Sequence, residues 1–154
     1  MAIKVLELHH HGIRVGPKPH DVKKALGFYH DVLGLSPDPG RPHIPAIDGH
    51  WMDVGGTAQI HLMGVEGLSG VADGPGRDPS NPHVALAVAD IQEAKQELDR
   101  LGVSYWITRG VVGPQSQQIF MYDPFGNMIE LHQAGTCRCI TSTRPAVAAK
   151  STMS

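Results

Sequence analysis

The chain has 154 residues, a formal net charge of -2 and 41% hydrophobic residues, which suits one compact domain or two small modules sharing a core. Scattered basic residues and 5% aromatic content leave neither an electrostatic footprint nor a stacking platform for nucleic acid. No apolar run approaches the roughly 18 residues of a membrane span, and no basic stretch leads into an apolar core at the start. Cys137 and Cys139 are the only cysteines and lie too close for a disulfide framework, so a reduced, cytoplasmic protein is expected.

Residues 5–15 alternate loosely and predict a strand. Asp21 is placed to cap a helix running to Leu33, with Val22, Ala25, Leu26, Tyr29, Val32 and Leu33 on one face and Gly34 as its stop. Residues 35–49 are rich in Pro and Gly and predict an irregular loop with at most one short strand. Trp51–Val54, the Gly55-Gly56 turn and Ala58–Met63 predict a hairpin. Residues 64–81 have linker composition. Asp90 with Glu93 then opens a second helix whose stripe is Ile91, Ala94, Leu98 and Leu101, ended by Gly102. Strands follow at about 103–108, 117–122 and 127–133, the last two joined by the turn at Asp123–Asn127. The expected organisation is therefore a first module over 1–63, a linker over 64–81, a second module over 82–134 and a tail over 135–154. Each module is βαβββ, and the fold class is α+β.

The two modules repeat each other. His10 opens HHGIRV and His83 opens HVALAV, each with Val five residues on. Ile60-His61-Leu62 and Ile129-Glu130-Leu131 close the two copies. Their spacing is four residues shorter, which fits an insertion, Gly16-Pro17-Lys18-Pro19, in the first copy. Duplicated modules pack with approximate two-fold symmetry, so equivalent residues converge. Three imidazoles and one carboxylate meeting there would bind one divalent cation per chain: Zn, Ni, Mn, Co or Fe. In a regular strand His9 and His11 face away from His10, while His132 shares a face with Glu130 as polar filling. Arg14 shares the face of His10. It either reaches into the cleft, where a guanidinium suits a substrate carboxylate, or pairs with an acid at the rim. Trp51 lines the pocket or fills the hairpin core.

The phrases ALGFYHDVLGL, WMDVGGTAQIHLM and IFMYDPFGNMIELHQ resemble the vicinal oxygen chelate superfamily, which includes glyoxalase I, fosfomycin-resistance proteins, methylmalonyl-CoA epimerase and extradiol dioxygenases. The resemblance covers about residues 5–133. It implies a curved, barrel-like mixed sheet around a metal cleft. It implies His10, His83 and Glu130 as metal ligands, with His61 standing where glyoxalase I enzymes carry Glu. The run from His10 to Val15 resembles the first strand of glyoxalase I, where the arginine contacts a carboxylate of glutathione, which implies a substrate contact for Arg14. Glu130 would be the catalytic base. The first reading is a metal-dependent isomerase, epimerase or lyase that chelates an oxygenated substrate and stabilises an enediolate or alkoxide. An extradiol Fe(II) dioxygenase comes second, and a resistance enzyme adding a thiol or water to an epoxide third. A drug-binding protein of the bleomycin-resistance kind ranks last, because that branch lacks the ligands. Relatives of this length often dimerise, so a homodimer is expected, with swapped or unswapped modules.

Overall fold

The computed structural model describes residues 3–56 and 58–135. The first module comprises β1 (Val5–Val15), α1 (Pro19–Gly27) with a π-helical turn (Phe28–Val32), β2 (Ser36–Pro37), β3 (Asp48–Val54) and β4 (Ala58–Gly64). The second comprises β5 (His83–Val88), α2 (Ile91–Leu101), β6 (Trp106–Arg109), β7 (Gln117–Tyr122) and β8 (Met128–Gln133). All eight strands form one curved, unclosed sheet in the order β2-β3-β4-β1-β5-β8-β7-β6. The order is symmetric about the antiparallel β1–β5 pair, and each of these strands pairs in parallel with the last strand of its own module. The two halves therefore meet edge to edge within one chain.

α2 follows its sequence closely. The Asp90 carboxylate accepts from the backbone N–H of Gln92 and Glu93 at 2.8 and 3.1 Å, and Gly102 ends the helix at φ 70°. Ile91, Ala94 and Leu98 pack on Val88, Ile119, Met121 and Leu131, so the helix covers the outer face of β5, β7 and β8. Leu101, expected in that stripe, is exposed at its end. β6 starts at Trp106 rather than 103, because the chain needs residues 103–105 to return from the helix to the sheet.

α1 departs further from expectation. Lys18, not Asp21, is its N-cap, since Pro19 fits the first helical position. Asp21 sits in the first turn, and its carboxylate accepts from the Lys18 N–H at 3.2 Å. The wide turn over Phe28–Val32 breaks the 3.6-residue periodicity, so the predicted stripe does not stay on one face. Val22 is buried, while Phe28, Val32 and Leu33 are exposed.

β1 also departs from regularity. Leu8 pairs with Leu86 and His10 with Ala85, so two steps on β1 oppose one step on β5. His9 is the extra residue of a β-bulge.

The segment between β4 and β5 is fastened to the sheet. Asp78 is buried and accepts from the Ser69 N–H at 2.7 Å, the Ser69 hydroxyl at 2.6 Å, the Ser80 N–H at 2.9 Å and the Ser80 hydroxyl at 2.7 Å. Arg14 on β1 adds an ion pair at 3.2 Å. Cys137 and Cys139 lie outside the described residues.

Candidate metal centre

Strand register brings the predicted residues together. His10 on β1 stands across Ala85 of β5 from Glu130 of β8. His61 on β4 stands across Gly12 of β1 from His83 of β5. Gly12 and Ala85 are equivalent in the repeat, and both are small. A Cβ on Gly12 would lie 2.6 Å from Cε1 of His83, so only glycine leaves room for that ring. The repeat thus supplies the donor side chains and also the gaps over which they meet.

Nε2 of His10 lies 3.1 Å from Nε2 of His83 and 3.3 Å from Oε2 of Glu130. Nε2 of His83 is 3.1 Å from the same oxygen. Among the described residues, these three form the cluster whose donor atoms all lie within 4.8 Å of one another, and all three are buried. The His83 ring is oriented by its other nitrogen, as Nδ1–H donates to the Asn81 carbonyl at 2.7 Å, so that in the neutral ring Nε2 carries the lone pair. Two imidazole nitrogens and a carboxylate oxygen aimed at one point make a donor set that fits a divalent cation.

His61 lies beside this trio. Its ring stacks on His10 at 3.7 Å and 15°, and on Trp51 at 4.4 Å and 8°. Gln59 gives its amide N–H groups to Asp38 and Asp53, so its oxygen accepts the Nε2–H of His61 at 2.9 Å. Nδ1 of His61 therefore keeps the lone pair. Stacked rings present their lone pairs side by side, so His61 joins the trio as a fourth donor only by turning off the face of His10.

The bulge puts His9 into the same cavity, against the expectation that it faces away. Its Nδ1 lies 2.7 Å from Nδ1 of His10, and its ring is 4.7 Å from that of His132. His132 is buried with its Nδ1 3.6 Å from Oε1 of Glu130. His11 is exposed, as expected.

Burial lowers the pKa of His10, against the opposing pull of Glu130. Burial, reinforced by His10, pushes His61 well below the usual histidine range. Burial would lower His83 as well, but its bond to Glu130 prevails and raises it. Burial works to raise Glu130, yet His10, His132 and His83 hold it well below the usual carboxylate range. The centre thus pairs a firmly ionised carboxylate with imidazoles of split basicity.

The cluster forms the floor of a cavity of about 580 Å3, counting the part open to solvent. Trp51 is both core and cavity wall, packing with Ile44, Ile47, Met63 and Val65. Val111 and Val112 from the β6–β7 loop close the wall from the second module. Arg14 does not reach in: it is taken up by Asp78, by the Ser80 hydroxyl at 2.8 Å and by the Ser80 carbonyl at 3.3 Å. Arg41 lines the cavity instead. It donates to the Ile47 carbonyl at 2.8 Å, while its buried Nε has no hydrogen-bond partner among the described residues. Nothing in the sequence distinguished Arg41, which lies in a Pro- and Gly-rich loop.

Comparison with known proteins gives the family and the fold. Residues 7–131 match the profile of the Glyoxalase/Bleomycin resistance protein/Dioxygenase superfamily. A curated relative, "Glyoxylase I 4" of Arabidopsis thaliana, is 28% identical over 121 residues, which are 77% of this chain and 64% of that protein. The chain therefore spans less than two thirds of that relative. The crystal structure of methylmalonyl-CoA epimerase from Mycobacterium tuberculosis is 28% identical with a TM-score of 0.61, covering 86% of this chain and 91% of the other. The 2,3-dioxygenase LapB from Pseudomonas sp. KL28 shares the fold at 18% identity and a TM-score of 0.59, covering 95% of this chain and 46% of that one.

Proposed function

Because the chain belongs to the Glyoxalase/Bleomycin resistance protein/Dioxygenase superfamily, we propose that it is a divalent-metal-dependent enzyme of glyoxalase type. Its reaction would be an isomerisation, epimerisation or lyase step on a small substrate with two neighbouring oxygens. The observation that carries this reading is the convergence of His10, His83 and Glu130 within 3.1–3.3 Å on the floor of an apolar-walled cavity. The similarity to an epimerase at 28% identity points the same way.

His10, His83 and Glu130 would hold the cation, which when bound supplies Lewis-acid stabilisation of negative charge developing on substrate oxygens. Glu130 is the one carboxylate among the described residues that line the cavity, so its Oε1, the oxygen turned away from His10 and His83, would accept a proton from a substrate carbon. His10, His132 and His83 hold its pKa well below the usual carboxylate range. Trp51, Ile44 and Val111 exclude water from the reacting carbon. Arg41 is the cation facing the cavity and is placed to hold an acidic group of the substrate, the role open to Arg14 from sequence.

Elemental analysis of protein purified without added metal tests this reading. It should find about one divalent ion per chain, and His83→Ala should abolish it. Unchanged stoichiometry in that variant refutes the site. A second reading has its own observation, since two His and one carboxylate are the donor set of non-haem Fe(II) oxygenases. Ring cleavage of a catechol by the Fe(II)-loaded protein would favour it.

A further inference from the structure

The proposed ligands His10 and His83 are repeat equivalents, yet their outward nitrogens are held by different groups. Nδ1 of His83 meets a backbone carbonyl, that of Asn81, at 2.7 Å. Nδ1 of His10 meets another imidazole, Nδ1 of His9, also at 2.7 Å. We infer that His9 is a positioning residue for the metal ligand His10. The lone pair on its Nδ1 accepts the Nδ1–H of His10, and so turns the Nε2 lone pair of His10 toward a divalent cation. This inference rests on the metal-site reading above.

The argument is one of competing tautomers. A neutral imidazole carries one hydrogen and one lone pair, and its partners decide which nitrogen holds which. Oε2 of Glu130, 3.3 Å from Nε2 of His10, is an acceptor that draws the hydrogen onto Nε2. In that tautomer His10 offers a cation nothing. An acceptor on the far side reverses the balance, because it is satisfied only when the hydrogen sits on Nδ1. His83 has such an acceptor in the Asn81 carbonyl. For His10 the acceptor comes from the preceding residue, and only the bulge makes that possible. In a regular strand His9 would point to the opposite face. Both rings are buried, so water does not take over the role. The His132 ring, 4.7 Å from that of His9 and tilted by 31°, packs against it from the β8 side.

The test compares His9→Phe, which keeps a ring but removes the acceptor, with His9→Asn, whose side-chain oxygen can stand near the position of Nδ1. Zn2+ affinity is measured by chelator competition on protein stripped of metal, and circular dichroism of the stripped forms checks folding. His9→Phe should weaken binding by about 10- to 100-fold, the usual effect of losing such a partner. His9→Asn should recover most of that loss, and its Co2+ complex should keep the wild-type visible spectrum. Equal affinity in wild type and His9→Phe overturns the inference, as does a His9→Asn variant as weak as His9→Phe. If His9→Phe does not fold, nitrogen-15 NMR of the zinc-loaded wild type decides. Hydrogen on Nδ1 of His10 and on Nε2 of His9 supports the inference, and hydrogen on Nδ1 of His9 overturns it. Wild-type protein that binds no Zn2+ would instead defeat the metal-site reading itself.

Discussion

At the scale of single residues, the smallest side chains near the centre matter as much as the donors. Gly12 leaves the space that the His83 ring occupies, with a would-be Cβ 2.6 Å from Cε1. Gly12→Ala should therefore push His83 aside. We expect Zn2+ affinity to fall at least about 10-fold while the circular dichroism spectrum is kept; unchanged affinity would show that the ring has room to give. His61 and Glu130 are repeat partners with unequal placement: Glu130 is in the trio and His61 is not. His61 lies on the face of His10 and outside the trio, so His61→Ala should weaken metal binding less than His83→Ala does, by about 10-fold or less. A loss as complete as that of His83→Ala would show that His61 turns to ligate. Glu130→Gln keeps an oxygen donor but removes the proton acceptor. It should cost turnover of a converted substrate more than metal affinity, by about 100-fold or more. Equal losses in the two measurements would leave Glu130 as a ligand alone.

At the scale of elements, Asp78 fastens the β4–β5 connection to β1 through four hydrogen bonds from Ser69 and Ser80 and the Arg14 ion pair. Burial works to raise its pKa, but the Ser69 and Ser80 bonds prevail and lower it. A lowered carboxylate stabilises the fold at pH values above its unfolded pKa, and that stability is lost as pH falls through the folded value. Asp78→Asn should thus destabilise the protein by about 3 kcal/mol at neutral pH, and the gap from wild type should begin to narrow below about pH 4 and go on narrowing as pH falls through the lowered folded value. Urea denaturation at pH 7 and pH 3 checks both points, and a gap that is the same at both pH values would count against the assignment. The sequence carried much of this architecture. Asp90 and Gly102 bound α2 locally, and the His10/His83 and His61/Glu130 pairing needed only the repeat. What escaped it depended on partners distant in the chain. The bulge at His9 comes from β1–β5 register, and the sequence left Arg14 open between the cleft and an acid at the rim because that acid, Asp78, lies 64 residues away. The π turn at Phe28–Val32 left no mark in the sequence, because FYHDV fits an α-helix as well.

At the scale of the whole molecule, the sheet order decides what a second copy has to supply. His10 and His61 come from the first module, His83 and Glu130 from the second, and β1 pairs with β5 of the same chain. The donor trio is therefore complete in one protomer, and swapping of modules is not needed to build it. Val5, Leu6 and Leu8 on β1, with Phe28, Val32 and Leu33 beyond α1, nevertheless leave apolar side chains exposed. The homodimer expected from sequence would bury such residues without touching the donors. The two ideas separate in one experiment. Sedimentation equilibrium across a wide concentration range, with metal content measured on each sample, should show dimer formation that depends on concentration and metal occupancy that does not. Replacing Leu6 and Leu8 with Ser should shift the association toward monomer at unchanged occupancy. Metal lost in step with dissociation would mean that the centre depends on the partner after all. It would return the swapped arrangement, with β1 of one chain beside β5 of another, as the assembly in solution.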